Sequence, residues 1–280
     1  MTYEIHYLED LVPQLPHCQE RAKLTFYIPH ISKEIDTDIA FPCVLLCPGG
    51  GYWWTSEREA EPVALRLLGQ GIAVFVLDYS CHGEHFPNQL LEASASIAYI
   101  RRHAKDLHVK EDSIYIMGFS AGGHLACSAG LLYKEDFIQK TLNLSGKENR
   151  PDGMILAYPV ITSGPFAHKD SFKCLLGENA DNEMLEKMSL EKRVTEDSPA
   201  AFIYHTAEDD LVPVENSLLL AQALSEKKVP FELHIFPRGG HGSSLCDENV
   251  SKKEDISPAL KYNSVWVDLA IKWIKERLTK

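Results

Sequence analysis

Basic charge is scarce in this chain. Against 40 Asp and Glu stand only 28 Lys and Arg, a net charge of −12. No stripe of cations is on hand to neutralise phosphates, so neither nucleic acid nor an anionic membrane is expected as a partner. Long apolar runs are also missing, and nothing approaches the ~20 residues of a membrane span. The start, Met1-Thr2-Tyr3-Glu4-Ile5-His6, has neither a basic nor an apolar leader segment, so no secretory signal is expected. The seven cysteines (Cys18, Cys43, Cys47, Cys81, Cys127, Cys174, Cys246) are odd in number and lack metal-type pairing. They predict reduced core thiols in a cytoplasmic protein, not a disulfide framework. Repeats and low-complexity tracts are absent too. What remains is a globular composition, 45% hydrophobic and 24% charged over 280 residues, enough for a single α/β domain.

The most informative stretch is Ser113 to His124. Ile114-Tyr115-Ile116-Met117 is a short apolar run of strand formers, Gly118-Phe119-Ser120-Ala121-Gly122 fits G-x-S-x-G, and Leu125 to Ala129 continues as a helix of mostly small residues. Strand, sharp turn and helix in that order predict a strained turn that holds the Ser120 hydroxyl above a sheet edge, at the positive end of a helix. Small neighbours are needed there because backbone must approach closely.

Upstream, Leu24, Phe26 and Ile28 alternate as an early strand, after mixed signals over residues 1–22. Cys43 to Cys47 is continuously apolar, as in a strand covered on both faces, and runs into Pro48-Gly49-Gly50-Gly51-Tyr52-Trp53-Trp54. Glycines directly after a buried strand let N–H groups approach a developing oxyanion. With the elbow in place, Gly50 or Gly51 on one side and the Ala121 N–H on the other are the expected oxyanion donors. Tyr52 and Trp53 are candidates for an aromatic wall against substrate. Glu61 to Leu68 reads as helix, Ile72 to Asp78 as a second buried strand, and 89–106 as an amphipathic helix. Cys81, His82, Glu84 and His85 suggest metal ligands, but no second cluster stands at a standard spacing, and a loop at a cleft rim accounts for them.

Strand alternating with helix implies a mostly parallel central sheet flanked by helices, with catalytic groups on loops at the carboxyl ends of strands. Met154 to Tyr158 continues that grammar. Residues 163–196 interrupt it and read as a small insertion over the active-site side, too short for a separate domain. Ala201 to Thr206 is the next strand and leads to Glu208-Asp209-Asp210. Asp209, just past the strand end, is the expected triad acid in preference to Asp210. After a helix over 217–227 and a strand over 231–236 comes Pro237-Arg238-Gly239-Gly240-His241-Gly242. His241 is the histidine downstream of the acid in a glycine-rich loop and is the expected general base. His124, His205 and His234 lie within predicted elements and are read as structural. A last helix is expected over about 260–278.

Pro48-Gly-Gly-Gly-Tyr52, Gly118-Phe-Ser-Ala-Gly-Gly-His124, Asp209-Asp-Leu-Val-Pro213 and Gly239-Gly-His-Gly242, in that order, resemble the α/β-hydrolase superfamily over about residues 20 to 278. The branch resembled is that of acetyl esterases and acetyl-xylan or feruloyl esterase-like enzymes. Hormone-sensitive-lipase-type esterases carry His-Gly-Gly-Gly, and Pro48 at that first position leans the chain toward the carbohydrate-esterase-like branch. The resemblance implies a Ser120–His241–Asp209 esterase acting on small acyl groups, acetyl foremost, with no metal or organic cofactor. The implied partner is a small-molecule ester; a homo-oligomer is left open. Two alternatives stand beside it. Prolyl-oligopeptidase-like serine peptidases share such motifs but normally carry a β-propeller for which this chain has no room. Non-catalytic relatives usually lose the serine or histidine, and both are present.

Overall fold

The computed structural model describes residues 1–81 and 83–277. Eight strands, β1 (Thr2–Tyr7), β2 (Lys23–Ile28), β3 (Phe41–Cys47), β4 (Ala73–Asp78), β5 (Val109–Phe119), β6 (Gly153–Ala157), β7 (Ala201–Thr206) and β8 (Phe231–Phe236), form one sheet in the order β1-β2-β4-β3-β5-β6-β7-β8. From β4 to β8 every pairing is parallel; β2 is antiparallel to both its neighbours. This is the α/β-hydrolase architecture the sequence predicts.

Alternation along each strand divides the core in two. Leu45, Phe75, Ile116, Leu156 and Ile203 face one side, with Ile97 of the helix Asn88–Arg102 and Leu125 of the helix Ser120–Leu131. Val44, Val74, Met117, Ile155 and Phe202 face the other, with Val63 and Leu67 of Glu61–Leu68 and Trp266 and Ile274 of Val265–Arg277. A strand buried on both faces needs no polar alternation, which is why Cys43–Cys47 reads as an unbroken apolar run. All seven cysteines are free, and all but Cys174 are buried.

Two local departures have physical causes. β1 lies in the stretch of mixed signals: Tyr3, Ile5 and Tyr7 alternate with Glu4 and His6 but stay exposed, because β1 is an edge strand. The expected last helix is two helices, Pro258–Asn263 and Val265–Arg277. The first starts on a Ser257 side-chain cap to the Leu260 N–H, and Asn263 at its end is drawn to the Arg238 carbonyl. Leu278, the end of the expected helix, lies outside the described residues. Within 163–196 stand the short helices Lys169–Leu176 and Asn182–Lys187 and a 3₁₀ turn, Leu190–Arg193. No helix among the described residues is long and apolar enough to cross a membrane.

Candidate active site

Loops leaving β3, β5, β6, β7 and β8 at their carboxyl ends build the site. β5 ends at Phe119, and Ser120 opens the following helix with φ of 53°, a left-handed conformation that costs a non-glycine residue roughly 1–3 kcal/mol. The two glycines of the motif are there by steric necessity. A Cβ on Gly118 would lie 2.0 Å from the Gly122 carbonyl oxygen, and one on Gly122 would lie 2.2 and 2.3 Å from the Cys47 and Pro48 oxygens.

The Ser120 hydroxyl lies 2.8 Å from His241 Nε2, and His241 Nδ1 lies 2.7 Å from Asp209 Oδ2. The carboxylate is itself aimed: Oδ1 accepts the Leu211 and Val212 N–H groups at 3.1 and 2.9 Å. Burial pushes the Asp209 carboxyl pKa up, but hydrogen bonds from His205 and His241, the His241 charge and the Val212 N–H outweigh it and hold the group well below the usual carboxylate range. Asp210, its neighbour, is exposed. The His241 loop is fastened at Gly239, whose carbonyl accepts the Thr206 hydroxyl at 2.7 Å, and the imidazole meets the Tyr158 ring edge-on at 5.0 Å. An acceptor-ready imidazole between a hydroxyl and a buried carboxylate is the arrangement that removes a proton from a serine as it attacks.

After β3, the chain passes close to Ser120: a Cβ on Gly49 would lie 3.0 Å from the Ser120 Cβ. The Gly49 N–H is committed to the Glu59 carboxylate at 2.7 Å. The Gly50 carbonyl is taken up by the Trp53 and Trp54 N–H groups. Gly50 and Gly51, the residues that follow, have N–H groups uncommitted among the described residues. Ala121 is the second residue of its helix, where no intrahelical acceptor exists.

Tyr52, read from the sequence as a candidate substrate wall, is placed otherwise. It is 2% exposed, its ring packs against Tyr79, and its hydroxyl donates to His124 Nδ1 at 2.9 Å. Trp53, the next residue, is 60% exposed. His124 is buried and donates from Nε2 to the Met188 carbonyl, tying the helix after Ser120 to the 163–196 segment. Burial lowers its pKa to about 4, so it stays neutral. His205 bridges the Ser217 hydroxyl and the Val212 carbonyl beneath Asp209, and His234 lies in β8 beside Glu232. Among the described residues no three His, Cys, Asp or Glu side chains are grouped to hold a metal. Of the 81–85 stretch, Cys81 is buried, Glu84 accepts from Gln19 and Asn88, and His85 pairs with the Cys174 carbonyl; His82 lies outside the described residues.

Sequence reasoning misses Glu59, Tyr158 and Ser171. Glu59 is hidden in the charged run Glu57-Arg58-Glu59, which reads as solvent-facing, yet it is 3% exposed. Tyr158 carries a weak signal, a polar aromatic at the carboxyl end of a predicted strand. Ser171 is brought by the 163–196 segment to 3.9 Å from where a Cβ on Gly51 would sit.

The family model for BD-FAE matches residues 26–224. A curated relative named endo-1,4-beta-xylanase B, from Butyrivibrio fibrisolvens, is 39% identical over 79% of this chain, and an acetylxylan esterase from Xylanibacter ruminicola is 33% identical over 70%. The matched regions span only 36% and 39% of those relatives' own lengths. Among solved structures, the acetyl ester-xyloside bifunctional hydrolase from Caldicellulosiruptor lactoaceticus superposes with a TM-score of 0.82 at 36% identity, covering 98% of this chain and 96% of that one.

Proposed function

The chain belongs to the BD-FAE family, and from that premise we propose that it is a serine esterase that removes short acyl groups, acetyl foremost, from sugar alcohols such as those of xylo-oligosaccharides. The observation that carries this reading is the unbroken relay from Ser120 through His241 to Asp209, at 2.8 and 2.7 Å. The coarse activity, carboxylic-ester hydrolysis on an α/β-hydrolase fold, agrees with the names of its relatives. The finer assignment draws on their acetyl and xylan-related names and on the 163–196 segment packed close to Gly51.

In the proposed reaction, the Ser120 hydroxyl attacks the ester carbonyl and passes its proton to His241 Nε2. Asp209 holds the Nδ1–H and stabilises the imidazolium. The carbonyl oxygen, now negative, receives the N–H of Ala121 and that of Gly50 or Gly51; one such donor is worth about 3 kcal/mol of barrier. His241 then protonates the departing alcohol. A water deprotonated by the same imidazole releases the acyl group and restores Ser120.

The test is hydrolysis of p-nitrophenyl acetate, acetylated xylo-oligosaccharides, feruloyl esters and a prolyl peptide anilide by wild type and Ser120→Ala. The expected result is turnover of acetyl esters that Ser120→Ala lowers by about 10⁴ or more. Equal rates for the two proteins overturn the reading. Turnover of the anilide alone transfers the same residues to a peptidase.

A further inference from the structure

Glu59 is a buried acid to which the relay assigns no task, yet it touches two of the loops that build the site. Its Oε2 accepts the Gly49 N–H at 2.7 Å, and its Oε1 accepts the Tyr158 hydroxyl at 2.7 Å. That hydroxyl in turn accepts the N–H of Ser244, on the loop that carries His241, at 2.9 Å. The Ser244 hydroxyl closes the circuit by donating to the carbonyl of Arg58, the residue before Glu59, at 2.7 Å. Both carboxyl oxygens thus act as acceptors, the bonding pattern of a carboxylate. Burial raises the Glu59 pKa above the ordinary carboxyl value, with Tyr158, the Gly49 N–H and the nearby His241 and Arg58 charges pulling only partly the other way.

We propose that Glu59 is a positioning residue that sets the oxyanion loop and the His241 loop in register, acting on the first through Gly49 and on the second through Tyr158 and Ser244. The proposal rests on the serine-esterase reading above. Its physical content is that the carboxylate is the shared anchor of groups that must meet one tetrahedral centre from opposite sides. A Cβ on Gly49 would already lie 2.7 Å from Glu59 Oε2 and 3.0 Å from the Ser120 Cβ, so the loop has little room to drift while the anchor holds. A neutral amide at this position has only one acceptor oxygen. Its NH₂ would face the Gly49 N–H, donor against donor, or the Tyr158 hydroxyl, whose proton would then lose its acceptor, and either loss loosens the anchor.

The experiment measures kcat and KM for p-nitrophenyl acetate in wild type, Glu59→Gln, Tyr158→Phe and the double variant, with a thermal melt of each. The expected result is a kcat lowered about 100-fold in Glu59→Gln at a KM within about threefold of wild type, the scale of a misplaced oxyanion donor. Tyr158→Phe should lose about tenfold in kcat, and the double variant should be no slower than the slower single variant by more than about threefold, because both act through one anchor. A Glu59→Gln kcat within about threefold of wild type overturns the proposal, as does multiplication of the two losses in the double variant. If Glu59→Gln does not fold, Tyr158→Phe decides alone, and a wild-type kcat there overturns it. A wild type that fails to hydrolyse any ester overturns the esterase reading and this proposal with it. An active wild type beside an unimpaired Glu59→Gln removes only the proposal.

Discussion

Replacing Asp209 by Asn separates the orienting role of this residue from its shape. The asparagine side chain has two ways to sit. With its oxygen on the Leu211 and Val212 N–H groups, which Oδ1 now accepts at 3.1 and 2.9 Å, its NH₂ points at His241 Nδ1. Flipped, the NH₂ faces two backbone N–H groups, leaving donors unpaired at about 1–3 kcal/mol each. The first orientation therefore wins. His241 Nδ1 must then accept, so the ring proton moves to Nε2, the nitrogen that takes the Ser120 proton in the proposed reaction. Loss of tautomer and of the buried anion together is expected to lower kcat by about 10⁴, roughly 5.4 kcal/mol of barrier. The assay is kcat for p-nitrophenyl acetate, with circular dichroism to establish that the variant is folded. A folded Asp209→Asn protein retaining more than a tenth of wild-type kcat would refute the tautomer argument.

Gly122→Ala forces a methyl to within 2.3 Å of the Cys47 and Pro48 oxygens, so the helix must back away from β3. A cost of about 3 kcal/mol or more in urea unfolding is expected, with loss of esterase activity as Ser120 moves; unchanged stability contradicts the close approach. Glu92 supplies a pH prediction. Burial raises its carboxyl from 4.5 to about 8, with the Ser80 N–H pulling partly the other way. The folded state thus keeps a proton that the unfolded chain releases, and stability falls as pH rises from 4.5 toward 8, by at most about 1.4 kcal/mol per unit. His124, lowered to about 4 by burial, has the opposite slope between that value and 6.5, so the window free of that opposing slope is pH 6.5 to 8. Urea unfolding at those limits should show a decline of about 2 kcal/mol in wild type that disappears in Glu92→Gln; equal declines sink the assignment. Trp53→Ala should raise KM for xylo-oligosaccharide esters by roughly three- to tenfold, leaving KM for p-nitrophenyl acetate nearly unchanged, because a ring 60% exposed gains burial against a large alcohol that a small one cannot supply. Parallel changes in both KM values argue against Trp53 as a contact for the sugar.

Local rules made much of this molecule legible. Apolar periodicity and punctuation located β2 to β8 and the helix Glu61–Leu68, and the elbow could be read because its steric demand falls on residues within the motif: Gly118 is crowded by Gly122, four positions on. Chain order after strands also singled out Ser120, Asp209 and His241, the residues that the fold brings within hydrogen-bonding distance. Burial produced by distant segments could not be read this way. Tyr52 looks like a cleft aromatic next to Trp53, but His124, 72 residues away, takes its hydroxyl into the interior. Glu59 looks like one solvated charge among several until Tyr158, 99 residues on, and Ser244, whose hydroxyl reaches back 186 residues to Arg58, close around it. The sequence by itself determined which residues could do chemistry and on which loops they would stand, since those follow from sterics and periodicity over a few neighbouring positions. Tertiary structure alone decided which polar groups lost their water and to what they were then bound, because desolvation depends on surfaces contributed from far along the chain.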